Sequence, residues 1–123
     1  MHMHKAEHAK TRILSVSYDE LLLRMRQMIL ESAGYTVVSA LGFEKSLEEC
    51  KKEGFDVFIL GHSIPHAEKS KMVETFRQVC TGVIISLQRG ASEPRVVTAD
   101  FHIDPDPELL LKLIGEILER KTD

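Results

Sequence analysis

Three side chains able to do chemistry, His62, Ser63 and His66, follow directly on an apolar run, Phe55-Asp56-Val57-Phe58-Ile59-Leu60, that stops at Gly61. A short run of this kind, bounded by turn residues, predicts a strand buried on both faces of a parallel sheet. In open α/β sheets, sites form in the crevice beyond the carboxyl ends of the strands, so Gly61-His62-Ser63-Ile64-Pro65 is the candidate site. Ser63 offers a nucleophilic hydroxyl. His62 and His66, four apart, offer imidazoles to a metal if the loop is helical, with Asp104 as a third ligand, but Pro65 between them opposes that geometry. His62 could also accept a phosphoryl group, yet no neighbouring carboxylate is identifiable to orient its ring. The plainer expectation for His62 is a local hydrogen bond or contact with water. No metal and no other cofactor is expected.

The elements that must position this loop follow from periodicity. Arg12–Val16 reads as a first strand, residues 19 to 33 as a first helix with Leu22, Met25, Ile29 and Ala33 on one face, and Gly34 as its end. Tyr35–Ser39 is a second strand, and Phe43, Leu47 and Cys50 space a charged second helix that stops at Gly54. Ala67–Cys80 forms a third helix with Met72, Val73, Phe76 and Val79 inward. Val83–Leu87 and Asp100–Ile103 are the fourth and fifth strands. Asp106 caps a last helix that has Pro107 at its first position. Residues 88–99, with Gly90 and Pro94, leave little room for a fourth helix, which is expected to be short, distorted or missing. Strands alternating with helices predict an α/β, flavodoxin-like three-layer sandwich: a five-stranded parallel sheet of order 2-1-3-4-5 with helices on both faces.

Composition bounds the rest. The chain has 123 residues, 43% of them apolar and 28% charged, which suits one domain with its own core. A net charge of −3 favours neither nucleic acid nor an anionic membrane. Cys50 and Cys80 lack CxxC spacing and read as free buried thiols. No segment reads as a spanning helix or a signal peptide, so the expectation is a cytoplasmic protein. Residues 1–10, with His2, His4 and His8, lack periodicity and read as a disordered tail, and the domain is expected over 11–123.

Over roughly residues 12–120 the chain resembles the receiver domain of two-component response regulators, the CheY-like superfamily. RILSVSYDELLLRMRQMILESAGYTVVSA is similar to the family's first strand, helix and second strand. FDVFILGHSIP is similar to its third strand and phosphoacceptor loop, and Ile103-Asp104-Pro105-Asp106-Pro107-Glu108-Leu109 resembles the Lys-Pro segment before the last helix. The resemblance stops at the residues that carry the family's chemistry. The acidic pair that holds magnesium aligns with Ser17 and Tyr18, with Asp19 one step later at the helix start. The phosphoacceptor aspartate aligns with Gly61, and the switching Thr or Ser with Ser86, or with Leu87 under another gap placement. The essential lysine aligns with Asp104, followed by Pro105, where the family commonly has a cis peptide. Phosphoryl transfer needs an oxygen nucleophile, a metal and a cation for the product, and none of the three is supplied at these positions. The resemblance therefore implies a degenerate pseudo-receiver, not an enzyme, acting as a protein-protein interaction module in bacterial signal transduction or transcriptional regulation.

Two other readings compete. Leu60-Gly61-His62-Ser63 resembles the GxSxG elbow of α/β-hydrolases, with Ser63 as nucleophile and Asp100 and His102 following in order. Pro65 and His66 stand where that strained turn needs small residues. The emptied pocket around Ser17, Tyr18, Gly61 and Asp104 could instead sense a small ligand. For a partner, Leu109, Leu111 and Leu118 widen the apolar arc of the last helix to about 200°, beyond the stripe a surface helix needs. The resemblance to receivers implies that the face built from the fourth helix, fifth strand and last helix is the docking surface for a protein partner, including a second copy in a homodimer.

Overall fold

Gly34, at a φ of 97°, ends the first helix in the left-handed region that residues with a Cβ avoid, and the chain turns directly into the second strand. This βαβ rhythm continues along the computed structural model, which describes residues 11–52, 54–89 and 98–122. The elements are β1 (Arg12–Ser17), α1 (Glu20–Ser32), β2 (Thr36–Leu41), α2 (Phe43–Lys52), β3 (Val57–Leu60), α3 (His66–Val79), β4 (Val83–Leu87), β5 (Phe101–Ile103) and α4 (Pro107–Thr122). All strand pairings are parallel and the order is β2-β1-β3-β4-β5, as expected from the sequence. The expected tail at 1–10 lies outside the described residues. No helix among the described residues joins β4 to β5, and residues 90–97, the heart of the expected short or missing helix, also lie outside them.

Side chains alternate across the strands and build a core on each face. Leu14, Val16, Phe58, Leu60 and Ile84 pack against Cys50 of α2 and Met72, Val73 and Phe76 of α3. Ile13, Val57, Ile59, Ile85 and Leu87 pack against Leu30 of α1 and Leu110, Ile114 and Ile117 of α4. Cys50 and Cys80 are free, and burial pushes both thiols up, which leaves little thiolate.

Both inward helix faces differ from the expected ones in an instructive way. The buried residues of α1 are Leu23, Arg26 and Leu30, one position, or about 100°, from the expected Leu22, Met25 and Ile29. Met25 is half-exposed, while Leu22 and Ile29 face the cleft beside α4. In α3, Lys69 joins Met72, Val73 and Phe76 inside, and Val79 turns outward. Each helix thus turns a cation toward the sheet.

Two further expectations are corrected. The Asp104–Pro105 peptide is trans. In the turn into α4 the Asp106 amide donates to the Asp104 carbonyl at 2.7 Å. Asp106 then caps α4 as expected, its Oδ1 accepting from the Glu108 amide at 2.8 Å and the Leu109 amide at 3.4 Å. Leu111 and Leu118, expected at an interface, are half-buried and pack on the core cluster, so only Leu109 of the three is exposed. The wide apolar arc of α4 is absorbed by its neighbours, since α1 lies alongside it as well as the sheet.

Candidate functional site

The carboxyl ends of β1 and β3 meet at Gly61. Its amide donates to the Val16 carbonyl at 2.9 Å, which extends the β1–β3 ladder by one bond. A Cβ on Gly61 would lie 2.9 Å from Arg26 Nη2 and 3.1 Å from the Val16 oxygen. The guanidinium of Arg26 therefore occupies the space into which a side chain at position 61 would grow. Its Nη1 donates to Ser15 Oγ at 3.0 Å and to the Val16 carbonyl at 3.3 Å. Small residues at both strand positions, Ser15 and Gly61, leave the hole that this long side chain fills. Burial lowers the Arg26 pKa to about 10, so the group stays charged at neutral pH.

Ser17 and Tyr18 are joined to the β3 loop by hydroxyl hydrogen bonds. Ser63 Oγ lies 3.1 Å from Ser17 Oγ and accepts from the Tyr18 amide at 3.0 Å. The Tyr18 hydroxyl donates to Glu68 on α3, and burial first, then this carboxylate, pushes the phenol pKa up. Asp19 does not face the site as a ligand: it caps α1, with Oδ1 accepting from the Leu22 amide at 3.1 Å. Asp19 and Glu68 are thus committed, the one to capping and the other to the tyrosine. Among the described residues no group of three His, Cys, Asp or Glu side chains could hold a metal ion.

The two candidates on β4 face opposite sides of the sheet. Leu60 pairs with Ser86, so Leu87 lies beside Gly61 and packs on the α1–α4 face. Ser86 points to the opposite face, where its hydroxyl accepts from Lys69 Nζ at 3.1 Å. Lys69, only 4% exposed, also donates to the Leu87 carbonyl at 2.8 Å. Asp104 follows β5 and is exposed. The strand ends are therefore flanked by two buried cations, Arg26 from α1 and Lys69 from α3, neither of which was singled out in the sequence.

A hydrolase triad is not assembled. Ser63 sits at the carboxyl edge of the sheet, whereas Asp100 precedes β5 at the amino edge, where its Oδ2 accepts from the Ile84 amide and from Arg77 Nη2, both at 2.7 Å. His102 lies inside β5 opposite Ser86. The hydrogen bonds of Ser63 run to Ser17 and Tyr18, with no imidazole among them. His62 lies in the turn before α3, its Nε2 accepting from Arg89 Nη2 at 3.1 Å, and His66 is the exposed first residue of α3.

The structural neighbours of this fold are CheY-like response regulator receiver domains. A two-component response regulator from Clostridium difficile superimposes with a TM-score of 0.82 at 17% identity, over 93% of this chain and 100% of that one. A CheY-like receiver domain protein from Methanospirillum hungatei gives 0.74 at 24% identity, over 91% and 96%. The response regulator TrrA from Thermotoga maritima, solved in complex with Mg(2+)-BeF, gives 0.74 at 19% identity, over 87% and 98%. At these identities the likeness establishes the fold. No protein-family model and no curated protein sequence matches the chain.

Proposed function

We propose that this chain is a phosphorylation-independent pseudo-receiver, a protein-interaction module of bacterial signal transduction or transcriptional control that works in the cytoplasm and catalyses no reaction. The observation that carries the reading is the exchange at the end of β3: Gly61 supplies no nucleophile, and the Arg26 guanidinium lies 2.9 Å from where its Cβ would stand. Around it, hydroxyls and an amide take the places where the resemblance puts metal-binding carboxylates. Magnesium prefers carboxylate and phosphate oxygen, and a buried cation beside the site disfavours it further.

What the scaffold retains is surface. Leu109, 45% exposed in the first turn of α4, supports a protein partner or a second copy on the face that helix presents. Leu111 and Leu118 are half-buried against the core and keep part of their surface open. The test is intact-mass measurement after incubation with magnesium and acetyl phosphate, with an active-serine probe as a second arm. An unchanged mass in both supports the reading. A stable gain of one phosphoryl group overturns it, and covalent labelling of Ser63 favours the hydrolase instead.

A further inference from the structure

The inner face of α1 carries a charge that has no ion-pair partner among the described residues. Arg26 is 9% exposed, and both of its hydrogen bonds leave from Nη1 to neutral acceptors, Ser15 Oγ and the Val16 carbonyl. Among the described residues no carboxylate lies within ion-pair distance of it. A buried charge is normally paired, because desolvation is costly without a counter-charge. Among the described residues no hydrogen bond leaves from Nε or Nη2.

Arg26 also lines a groove of about 220 Å³ between α1 and the start of α4. The walls are apolar: Leu22, Met25 and Ile29 from α1, Leu87 from β4 and Leu110 from α4. At the rim, Asp106 is turned to the α4 amides that it caps, and His62 accepts from Arg89.

From this juxtaposition we infer that the groove binds a small amphiphilic carboxylate, its head on the unused donors of Arg26 and its hydrocarbon body against Leu22, Ile29, Leu87 and Leu110. A guanidinium fork matches one carboxylate in a bidentate pair. A phosphate dianion would call for a second cation in the wall, and Arg26 is the only Lys or Arg among the lining residues. A volume of about 220 Å³ suits a short chain rather than a long lipid. The inference rests on the pseudo-receiver reading in one respect: the end of β3 carries no metal or phosphoryl group to compete for Arg26.

The test is titration of the full ¹⁵N-labelled chain with sodium octanoate, followed through its amide resonances. Saturable shifts grouped at Met25, Arg26, Leu87 and Leu110 are expected, with none from octanol or inorganic phosphate at equal concentration. Arg26→Met should weaken binding roughly tenfold or more, the loss expected for a charge-assisted pair. Should that variant unfold, Met25→Asp on the half-exposed lip keeps the fold and should weaken octanoate by repulsion. Absence of saturable shifts, an equal response to octanol or phosphate, or undiminished affinity in a folded variant overturns the inference. Octanoate failing to bind a chain that also stays unphosphorylated removes this site and leaves the proposed function standing.

Discussion

Arg26 Nη2 and the missing Cβ of Gly61 compete for one volume, with 2.9 Å between the nitrogen and the position a Cβ would take. Gly61→Ala must displace a buried guanidinium and crowd the Val16 carbonyl at 3.1 Å, so it should cost about 1–3 kcal/mol, the range for overpacking. Gly61→Asp adds more bulk but sets a carboxylate beside an uncompensated cation. The aspartate variant should therefore unfold at higher urea than the alanine variant. It should also stay unphosphorylated, because Arg26 pairs with the new carboxylate and Ser17 and Tyr18 supply no metal ligands. A lower urea midpoint for Asp than for Ala would show that Arg26 does not feel position 61 as a charge.

Tyr18 makes stability depend on alkaline pH. Its folded-state pKa is raised above the ordinary value of 10.0, first by burial and then by Glu68. The folded form therefore holds the phenolic proton more tightly than the unfolded chain does. Its contribution is complete below pH 10 and is lost as pH climbs from there through the folded-state value. Tyr18→Phe should cost about 0.5–1.5 kcal/mol at neutral pH, for the lost hydrogen bond. It should also flatten the alkaline decline, seen in urea midpoints taken from neutral pH upward. Some slope will remain, because burial raises the Tyr35 pKa too.

The order of strands was legible because each apolar run is short and ends at a turn signal. Gly34, Gly54, Gly61 and the Asp106-Pro107 pair mark the boundaries almost residue by residue. The helix faces were less legible. An arginine or lysine within a helix ordinarily lies on the solvent side, so the apolar pattern gives no sign of Arg26 and Lys69 and sets the inner face of α1 one residue out of phase. The available signal was indirect: Leu23, Arg26 and Leu30 share a helical face, and Ser15 and Gly61 are the small residues that open a hole in the sheet face below it. Which of Ser86 and Leu87 lies beside Gly61 is not legible in the sequence, since it depends on strand register, which pairs Leu60 with Ser86.

The last helix separates core from surface in a way that substitution can read. Leu111→Ala and Leu118→Ala remove side chains packed on the α1–α4 core and should each cost about 1–3 kcal/mol, scaled down from fully buried leucines. Leu109→Ala, at an exposed site, should stay within about 0.5 kcal/mol. Chemical unfolding of the three variants checks the order. Equal and small effects would return Leu111 and Leu118 to the surface.

Asp106 closes the start of α4 through two amide hydrogen bonds. Asp106→Ala should cost about 1 kcal/mol, and Asp106→Asn should restore most of it, because an amide oxygen caps nearly as well. Thermal melts of the pair test this, and an alanine variant as stable as the parent would show that the cap contributes nothing.

The central claim is that the end of β3 no longer binds a metal and a phosphoryl group. An amide-resolved NMR titration with magnesium and beryllofluoride tests it most directly. The account predicts that the Ser17, Tyr18 and Gly61 amides keep their positions when magnesium is added in the presence of beryllofluoride. Saturable, magnesium-dependent shifts centred on those three residues would contradict it.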